Sequence, residues 1–521
     1  MIMRRLTPAL LCIGVIACNI QPEVEVNGEV LRGEYLAEVG VAVFRSIPFA
    51  EPPLGYLRWR PPQPLGTKLA RRETTAFAPV CMQSPRILEW YRDMSEIFGS
   101  SRDVFEDLVT SEDCLYLNIW SPDLHENAAL PVMVYIHGGS NNSGWSYEPN
   151  YHGHALAKRG VVLVSIAYRL GVFGFLSHPD LDDDNGIANF GLWDQVMALK
   201  WIQEHIRRFG GDPERVTVFG ESSGAQDILA LMASDKAAGL FQGAILQSTA
   251  GFGISSRDSP TLDDEQQRGV HTAEIFGFDD ADALQKLRYV PAQALLREYE
   301  ERFPEYYHSP AVDGQFLKKP VWQIINDGEL SGIPFIIGSN ADERYDSTPK
   351  DVDEDDVVHA VESSDHLNTR EALAAVQSES DHRKAIDRIL TADGMLCPSQ
   401  YLAATQSASN DNAWVYYFAR LRDGGAGAQV RAYHGAELPY VFGTHDPWIT
   451  TTVVDWQLSD QMIAYWTQFA TIRDPNADGL PDWPIFAAPN YQVMEFTNVP
   501  SPTAAPERTL CRVFRESVNR Q

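Results

Sequence analysis

The chain has 521 residues, of which 44% are hydrophobic and 22% charged, and its formal net charge is −29 at pH 7. A field this negative repels phosphates, which excludes nucleic acid as a partner. Length alone favours about three domains. However, no Pro/Ser/Gly-rich linker, repeat or low-complexity tract interrupts the sequence, so residues 18–521 are predicted to form a single large domain.

The N-terminus has the pattern of a secretory signal. Residues 1–5 are basic, and residues 6–17 are an apolar run that is too short to span a membrane as a helix. Val-Ile-Ala-Cys at 15–18 resembles a bacterial lipobox, in which Cys18 is lipidated; alternatively, cleavage is ordinary and this cysteine is incidental. We expect a signal peptide at 1–17 and an exported protein, anchored through that lipid to the bacterial outer membrane, or otherwise periplasmic or secreted. The lipid is the only membrane contact expected.

A buried strand followed by small residues is predicted at 131–140. Residues 131–136 are mostly apolar, as in a strand covered on both faces, and His137, two glycines and Ser140 follow. Small residues let backbone N–H groups face a cavity, so Gly139 and Ser140 are predicted to donate to an oxyanion hole. An ordinary glycine turn is the alternative. His137 is expected to be structural, because it belongs to this loop.

Gly-Glu-Ser-Ser-Gly at 220–224 lies between a predicted strand and a helix with apolar spacing at 225–232. Such a strand-to-helix turn exposes a serine hydroxyl at the carboxyl end of a sheet, above a helix N-terminus, and the glycines relieve crowding. We predict that Ser222 is a nucleophile and that the N–H of Ser223 completes the oxyanion hole. Glu221 either orders water or favours positive charge nearby, or it is only structural.

An acid and a base are expected later in the chain, in that order. Residues 334–337 predict another buried strand, and the polar turn after it contains Asp342 and Glu343. The residue pattern leaves open which of these two is the acid. Among 13 histidines, His434 is the candidate base, because it follows the predicted strand 413–418 through a Gly-rich loop.

Several blocks of sequence resemble the type-B carboxylesterases, the carboxylesterase and cholinesterase branch of the α/β-hydrolases. They lie at residues 44–55, 111–120, 189–195, 209–213, 220–224, 310–314 and 466–470. The resemblance implies an α/β fold with a large, mostly parallel twisted sheet flanked by helices. Helical insertions around 258–410 would form the lid side of a gorge. The resemblance selects Glu343 as the acid and supports His434 as the base.

The resemblance also implies the reaction. The protein would be a serine hydrolase that cleaves small-molecule carboxylic esters through an acyl-enzyme, with no cofactor and no metal. A non-catalytic interaction protein on the same fold is one alternative, and the intact Ser222, Glu343 and His434 argue against it. An amidase or peptidase is the other, since the same triad cleaves amides.

Four cysteines remain outside the signal and its cleavage site, an even number that suits an oxidising compartment. Four cysteines allow three pairings. The resemblance selects Cys81–Cys114, which closes a loop over the gorge, and Cys397–Cys511, which ties the C-terminus back.

Two residues depart from the family pattern beside the predicted catalytic groups. Ser140 replaces the third glycine of the oxyanion loop, where a positive φ would be strained. Arg344 follows the acid, where a small residue is usual. Its cation would either lower the activity of the Glu343–His434 pair or point to solvent.

The substrate pocket departs as well. Val104 and Phe105 lie near the position of the tryptophan that binds choline in cholinesterases, so cation–π recognition is not expected. Trp90 and Tyr91 substitute for it only if their loop folds differently. Tyr306 is the predicted acyl-side contact, and a loop tyrosine half in solvent is the alternative.

Overall fold

Strands and helices alternate along much of the chain. The structure is a computed structural model, and it describes residues 21–66, 70–181, 187–249, 259–304, 306–330, 332–409 and 412–520. The strands are β1 Glu23–Val26, β2 Glu29–Arg32, β3 Glu34–Leu36, β4 Val41–Pro48, β5 Arg71–Glu73, β6 Val80–Cys81, β7 Thr110–Ser111, β8 Tyr116–Ser121, β9 Leu130–Ile136, β10 Val162–Ile166, β11 Gly211–Glu221, β12 Gly243–Gln247, β13 Phe335–Asn340, β14 Ala413–Phe418, β15 Gln492–Phe496 and β16 Ser501–Ala504. The helices are α1 Arg86–Ile97, α2 His154–Lys158, α3 Gly171–Gly174, α4 Phe190–His205, α5 Ser223–Ala233, α6 Leu262–Ile275, α7 Ala283–Arg288, α8 Ala292–Arg302, α9 Val321–Asn326, α10 Glu354–Ser363, α11 Arg370–Val376, α12 His382–Thr391, α13 Cys397–Ala408, α14 Gly425–Val430, α15 Leu438–Phe442, α16 Val453–Ile472 and α17 Arg508–Val518.

One large sheet organises the molecule. Its eleven strands have the order β16-β15-β14-β13-β12-β11-β9-β10-β8-β4-β3. The seven strands from β15 to β10 in that order pair in parallel, whereas β16 at one edge and β8, β4 and β3 at the other join through antiparallel pairs. The predicted α/β class with a mostly parallel sheet is confirmed.

The central strands are largely apolar, and β9 is continuously so, because both faces of the sheet are covered. In β9, Val132, Val134 and Ile136 face one hydrophobic cluster, to which α4 and α5 contribute. Met133 and Tyr135 face the other cluster, to which α16 contributes. Alternate side chains of a strand point to opposite faces, so a strand between two helical layers needs a continuous apolar run.

The stretch predicted as a helical insertion is largely helical, but it is not one insertion. Helices α6 to α13 fall between residues 262 and 408, and β13 interrupts them as an internal strand of the large sheet. The apolar run that ends at Ile337 was already predicted as a strand, so the insertion consists of separate excursions before and after it.

Both disulfides join the predicted cysteines. Cys81 is bonded to Cys114, and Cys397 is bonded to Cys511 across a sequence separation of 114 residues, which ties the start of α13 to α17. The predicted signal peptide at 1–17 and Cys18 lie outside the described residues. In the described part of the chain, every helix is too short or too polar to cross a bilayer.

Candidate active site

Four loops at one end of the central strands build the candidate site. They follow β9, β11, β13 and β14, whose parallel pairing brings their carboxyl ends to the same edge of the sheet. The loops surround a cavity of about 410 Å³. It is lined by most of the residues predicted from the sequence: Gly139, Ser140, Glu221, Ser222, Ser223, Glu343 and His434.

Ser222 occupies a sharp turn between β11 and α5. Its backbone has φ 57° and ψ −125°, a conformation that non-glycine residues rarely adopt. The turn is held because the backbone N–H of Ser222 donates to the carbonyl of Gln247 at 2.9 Å. The flanking glycines are required by close approach to β9. A Cβ would lie 2.6 Å from the carbonyl oxygen of Ile136 at Gly220, and 2.1 Å from it at Gly224.

His434 and Glu343 are in direct contact. Nδ1 of His434 lies 2.7 Å from Oε2 of Glu343. The other carboxylate oxygen, Oε1, accepts a hydrogen bond of 2.7 Å from the backbone N–H of Asn340. Both oxygens of this buried side chain are therefore engaged, and the imidazole is held by its Nδ1 side with Nε2 toward the cavity.

Asp342, the other candidate acid, points away from His434. Its carboxylate is bonded to the side chains of Lys384 and Arg431 and accepts from the backbone N–H of Ala432 at 3.2 Å. These partners outweigh the cost of burial and lower the pKa of Asp342. The residue pattern alone had left the two acids open, and the structure brings only Glu343 to the histidine.

Glu221 lies on the other side of the imidazole. Its Oε1 is 3.1 Å from Nε2 of His434, and its side chain is buried. Burial disfavours the imidazolium, but Glu221 and Glu343 outweigh it and raise the pKa of His434 to about 9. Burial and the neighbouring carboxylates also raise the pKa of Glu221, and His434 opposes that shift. Each side chain therefore affects the pKa of the other, and the two titrate as a pair.

Within the described residues the hydroxyl of Ser222 makes no hydrogen bond, and Nε2 of His434 lies at ion-pair distance from Oε1 of Glu221, 3.1 Å away. Catalytic hydrogen bonds often tighten only when substrate is bound. The three side chains are therefore adjacent in one cavity without forming a continuous hydrogen-bonded chain.

A second buried acid, Glu437, is hydrogen-bonded to two residues that contact Glu343 and Ser222. It accepts hydrogen bonds from the side chains of Asn340 at 2.6 Å and Gln247 at 2.9 Å. The same two residues hold the backbone of the catalytic region, since the Asn340 N–H binds Glu343 and the Gln247 carbonyl binds Ser222. Sequence reasoning missed Glu437, although it lies only three residues after His434.

The loop after β9 has the conformation expected of an oxyanion hole. Gly139 has φ 108° and Ser140 has φ 60°, so the serine that replaces the third glycine lies in the left-handed region, where a non-glycine residue is strained. The N–H of Asn141 donates to Oγ of Ser223 at 3.2 Å. The side chain of Asn141 donates to buried Asp227 at 3.0 Å, which fixes the loop against α5.

Arg86, the first residue of α1, braces this loop and was not predicted. Its Nη2 donates to the carbonyl of Gly139 at 2.8 Å and to Oγ of Ser143 at 3.2 Å. No local pattern in the sequence marks this contact, because the two segments are 53 residues apart.

The structure does not place Tyr306, the predicted acyl-side contact, in the cavity wall. Tyr306 is not among the residues that line the cavity; its hydroxyl donates to Glu265 at 2.8 Å, and Arg268 packs over its ring at 3.4 Å. Tyr307 and His308 line the cavity instead. The ion pair between Arg268 and Glu265 on α6 holds the side chain of Tyr306, whereas Tyr307 is 51% exposed and His308 is buried.

Trp90 and Tyr91 line the cavity from α1, whereas Val104 and Phe105 do not. The loop closed by Cys81–Cys114 thus folds so that aromatic rings reach the site. His137 is buried, its Nδ1 is 2.9 Å from the Gly138 carbonyl, and burial lowers its pKa to about 4.

Comparison with known proteins agrees with this geometry. Residues 20–513 match the model of a protein family that is described as "Carboxylesterase family". The chain is 35% identical over 467 residues to a fumonisin B1 esterase of Sphingopyxis macrogoltabida, a match that covers 86% of this chain and 82% of that protein. It is 34% identical over 471 residues to a para-nitrobenzyl esterase of Bacillus subtilis, covering 86% and 90% respectively. A solved PNB esterase structure superposes with a TM-score of 0.80 at 30% identity, over 95% of this chain and 99% of the other.

Proposed function

The chain belongs to the carboxylesterase family and is a carboxylic ester hydrolase, and we propose that it works through an acyl-enzyme on Ser222. The observation that carries the proposal is the 2.7 Å contact between His434 Nδ1 and Glu343 in the cavity that Ser222 lines. A serine hydroxyl needs such an oriented base to become a nucleophile. The substrate is a small-molecule ester.

In the proposed acylation step, Nε2 of His434 accepts the proton of Ser222 as Oγ attacks the ester carbonyl. The imidazole first turns from Glu221 toward the serine while Nδ1 keeps its hydrogen bond to Glu343. That carboxylate then stabilises the imidazolium. The protonated histidine gives its proton to the departing alcohol, and water repeats the sequence on the acyl-enzyme.

The N–H groups of Gly139, Ser140 and Ser223 are proposed to hold the oxyanion. Losing one such donor costs about 3–4 kcal/mol of transition-state stabilisation. The positive φ of Ser140 and the hydrogen bonds to the Asn141 side chain and to the Gly139 carbonyl fix the loop in advance. Such preorganisation is what makes an oxyanion hole effective.

Ser222→Ala tests the nucleophile. The variant should fold as the wild type does and lose hydrolysis of p-nitrophenyl butyrate by a factor of about 10⁴ or more, because only binding and the oxyanion hole remain. Circular dichroism and melting temperature provide the folding control. Retention of more than about a thousandth of the wild-type rate would remove Ser222 from the mechanism.

We propose that the alcohol part of the substrate ester is a neutral aromatic alcohol. The para-nitrobenzyl esterase relative is named for such an ester. The aromatic side chains of Trp90, Tyr91 and Tyr151 in the cavity wall support it, since they offer apolar surface to a leaving group. Hydrolysis of para-nitrobenzyl acetate, compared with ethyl acetate, tests the proposal; equal kcat/KM values would count against it.

We also propose that the mature protein begins at Cys18 and is lipid-anchored to the outer membrane. The sequence pattern at residues 1–18 supports this proposal. The family match over residues 20–513 fits a single domain that follows Cys18. Several acyl chains together bind a membrane firmly. An intact mass with added acyl groups on Cys18, in a Gram-negative host, supports the proposal, whereas a mature protein without them contradicts it.

A further inference from the structure

The segment Tyr307–Ser309 lines the cavity and is fastened to the oxyanion loop, and we call this wall the acyl side. The Asn141 side chain donates to the carbonyl of His308 at 3.3 Å, and the Asn142 side chain donates to the carbonyl of Tyr306. These bonds place His308 in the cavity wall beside Gly139 and Ser140. A substituent on the acyl group therefore meets this wall when the ester carbonyl is in the oxyanion hole.

His308 offers this wall an unused polar atom. Its side chain is 2% exposed, and it is stacked between Tyr299 and Phe175 with centroid distances of 5.9 and 5.8 Å. Nε2 lies 3.2 Å from the hydroxyl of Tyr299. Among the described residues Nδ1 has no hydrogen-bond partner, although its ring lines the cavity. Buried polar atoms in native proteins are nearly always paired, so a buried nitrogen without a protein partner, in a ring that lines the cavity, points to a ligand contact.

The wall of the same cavity also contains a cation. The guanidinium of Arg86 is 5.5 Å from the ring centroid of Tyr307, the neighbour of His308, and it lines the same cavity. One of its nitrogens holds the Gly139 carbonyl and Ser143, which leaves the other N–H groups available. Glu300 acts on it electrostatically, but over the described ranges no carboxylate lies within ion-pair distance of it. In a chain of net charge −29, such a cation suits an anionic substrate group.

We propose that the acyl side of the cavity recognises a carboxylate carried by the acyl group of the ester, with Arg86 and the Nδ1–H of His308 as its donors. This inference rests on the proposed function, because it names the acyl class of the same site. This role requires the tautomer in which the Tyr299 hydroxyl donates to Nε2 and the neutral imidazole carries its proton on Nδ1. The preferred substrates are half-esters of short dicarboxylic acids, and the products are an alcohol and a dicarboxylate.

A different wall contains a competing cation. Arg344 follows Glu343 and also lines the cavity, and in the described part of the chain its guanidinium forms no hydrogen bond or ion pair. It follows Glu343 directly in the chain and acts electrostatically on His434. An anion bound there would belong to another part of the ester, so Arg344→Gln serves as the matched control.

The test compares kcat/KM for the monomethyl esters of succinate, glutarate and adipate with methyl butanoate, pentanoate and hexanoate. The wild type should favour at least one half-ester over its neutral counterpart by about tenfold or more. Arg86→Met and His308→Phe should each lower that ratio by about fivefold or more, whereas Arg344→Gln should change it by less than about twofold. Moving the carboxylate to the alcohol, in 3-acetoxypropanoate against propyl acetate, should give no preference.

Because Arg86→Met also frees the Gly139 carbonyl, the ratio of two substrates within each variant is the readout rather than the absolute rate. Arg86→Lys should recover part of the ratio. A wild-type ratio of one or less overturns the proposal, as does a ratio that survives both acyl-side variants or that is lost in Arg344→Gln instead. Absence of all hydrolysis, including that of p-nitrophenyl butyrate, would contradict the proposed function itself and is distinguishable for that reason.

Discussion

Replacing Glu343 by glutamine preserves the shape of the side chain and reverses one hydrogen bond. In the wild type, Oε1 of Glu343 accepts a hydrogen bond from the Asn340 N–H, and Oε2 lies beside Nδ1 of His434, both at 2.7 Å. In Glu343→Gln the amide oxygen must stay with the buried Asn340 donor, so the amide NH₂ faces Nδ1 and donates to it. The imidazole then carries its proton on Nε2 and cannot accept one from Ser222. We expect kcat to fall about 10⁴-fold, or roughly 5 kcal/mol.

Asp342→Asn is the matched control, since it alters the neighbouring buried acid. Asp342 is bound to Lys384 and Arg431 and not to His434. Removing its charge should destabilise the fold by about 3–5 kcal/mol, because Arg431 loses its ionic partner and Lys384 keeps only Asp387. Acylation per folded enzyme should stay within about tenfold of the wild type. Stopped-flow single-turnover release of p-nitrophenol, with denaturant melts of both variants, measures the two effects. Faster acylation in Glu343→Gln than in Asp342→Asn would refute the assignment.

Three further outcomes are expected. Glu221→Gln removes a carboxylate that raises the pKa of His434; since the base must be neutral, the acidic limb of kcat/KM should shift to lower pH by about one unit or more, and an unmoved limb would contradict the contact. Short neutral acyl esters should outperform the matching choline esters in kcat/KM, and a choline preference above about tenfold would mean that Trp90 supplies a cation site. Opening the disulfide with Cys397→Ser and Cys511→Ser should cost about 4–5 kcal/mol of stability by the chain-entropy model and leave kcat unchanged, as urea melts and initial rates would show.

The parts of the site that follow strands were predictable, because their signals are local. A buried strand reads as an apolar run, and the turn after it is polar or small, so the positions of Ser222, Glu343 and His434 follow from neighbouring residues. The choice between Glu343 and Asp342 is different. It depends on where a side chain points in a turn, and only the resemblance to a family could make it before the structure was known.

Contacts between distant segments could not be predicted. Arg86 reaches the carbonyl of Gly139 from another element, and no spacing rule connects them. The position of Tyr306 has a similar cause, since Glu265 and Arg268 on α6 hold its side chain. Periodicity describes strands and helices, and it says little about side-chain direction in an irregular loop.

The central claim is that ester hydrolysis passes through an acyl group on Ser222. The direct measurement is mass spectrometry of enzyme quenched in acid during turnover of p-nitrophenyl butyrate, followed by peptide mapping. The account predicts one butyryl group per chain, on the peptide that contains Ser222, and none in Ser222→Ala. Full wild-type turnover with no covalent acyl group, or with the acyl group on another residue, would contradict it.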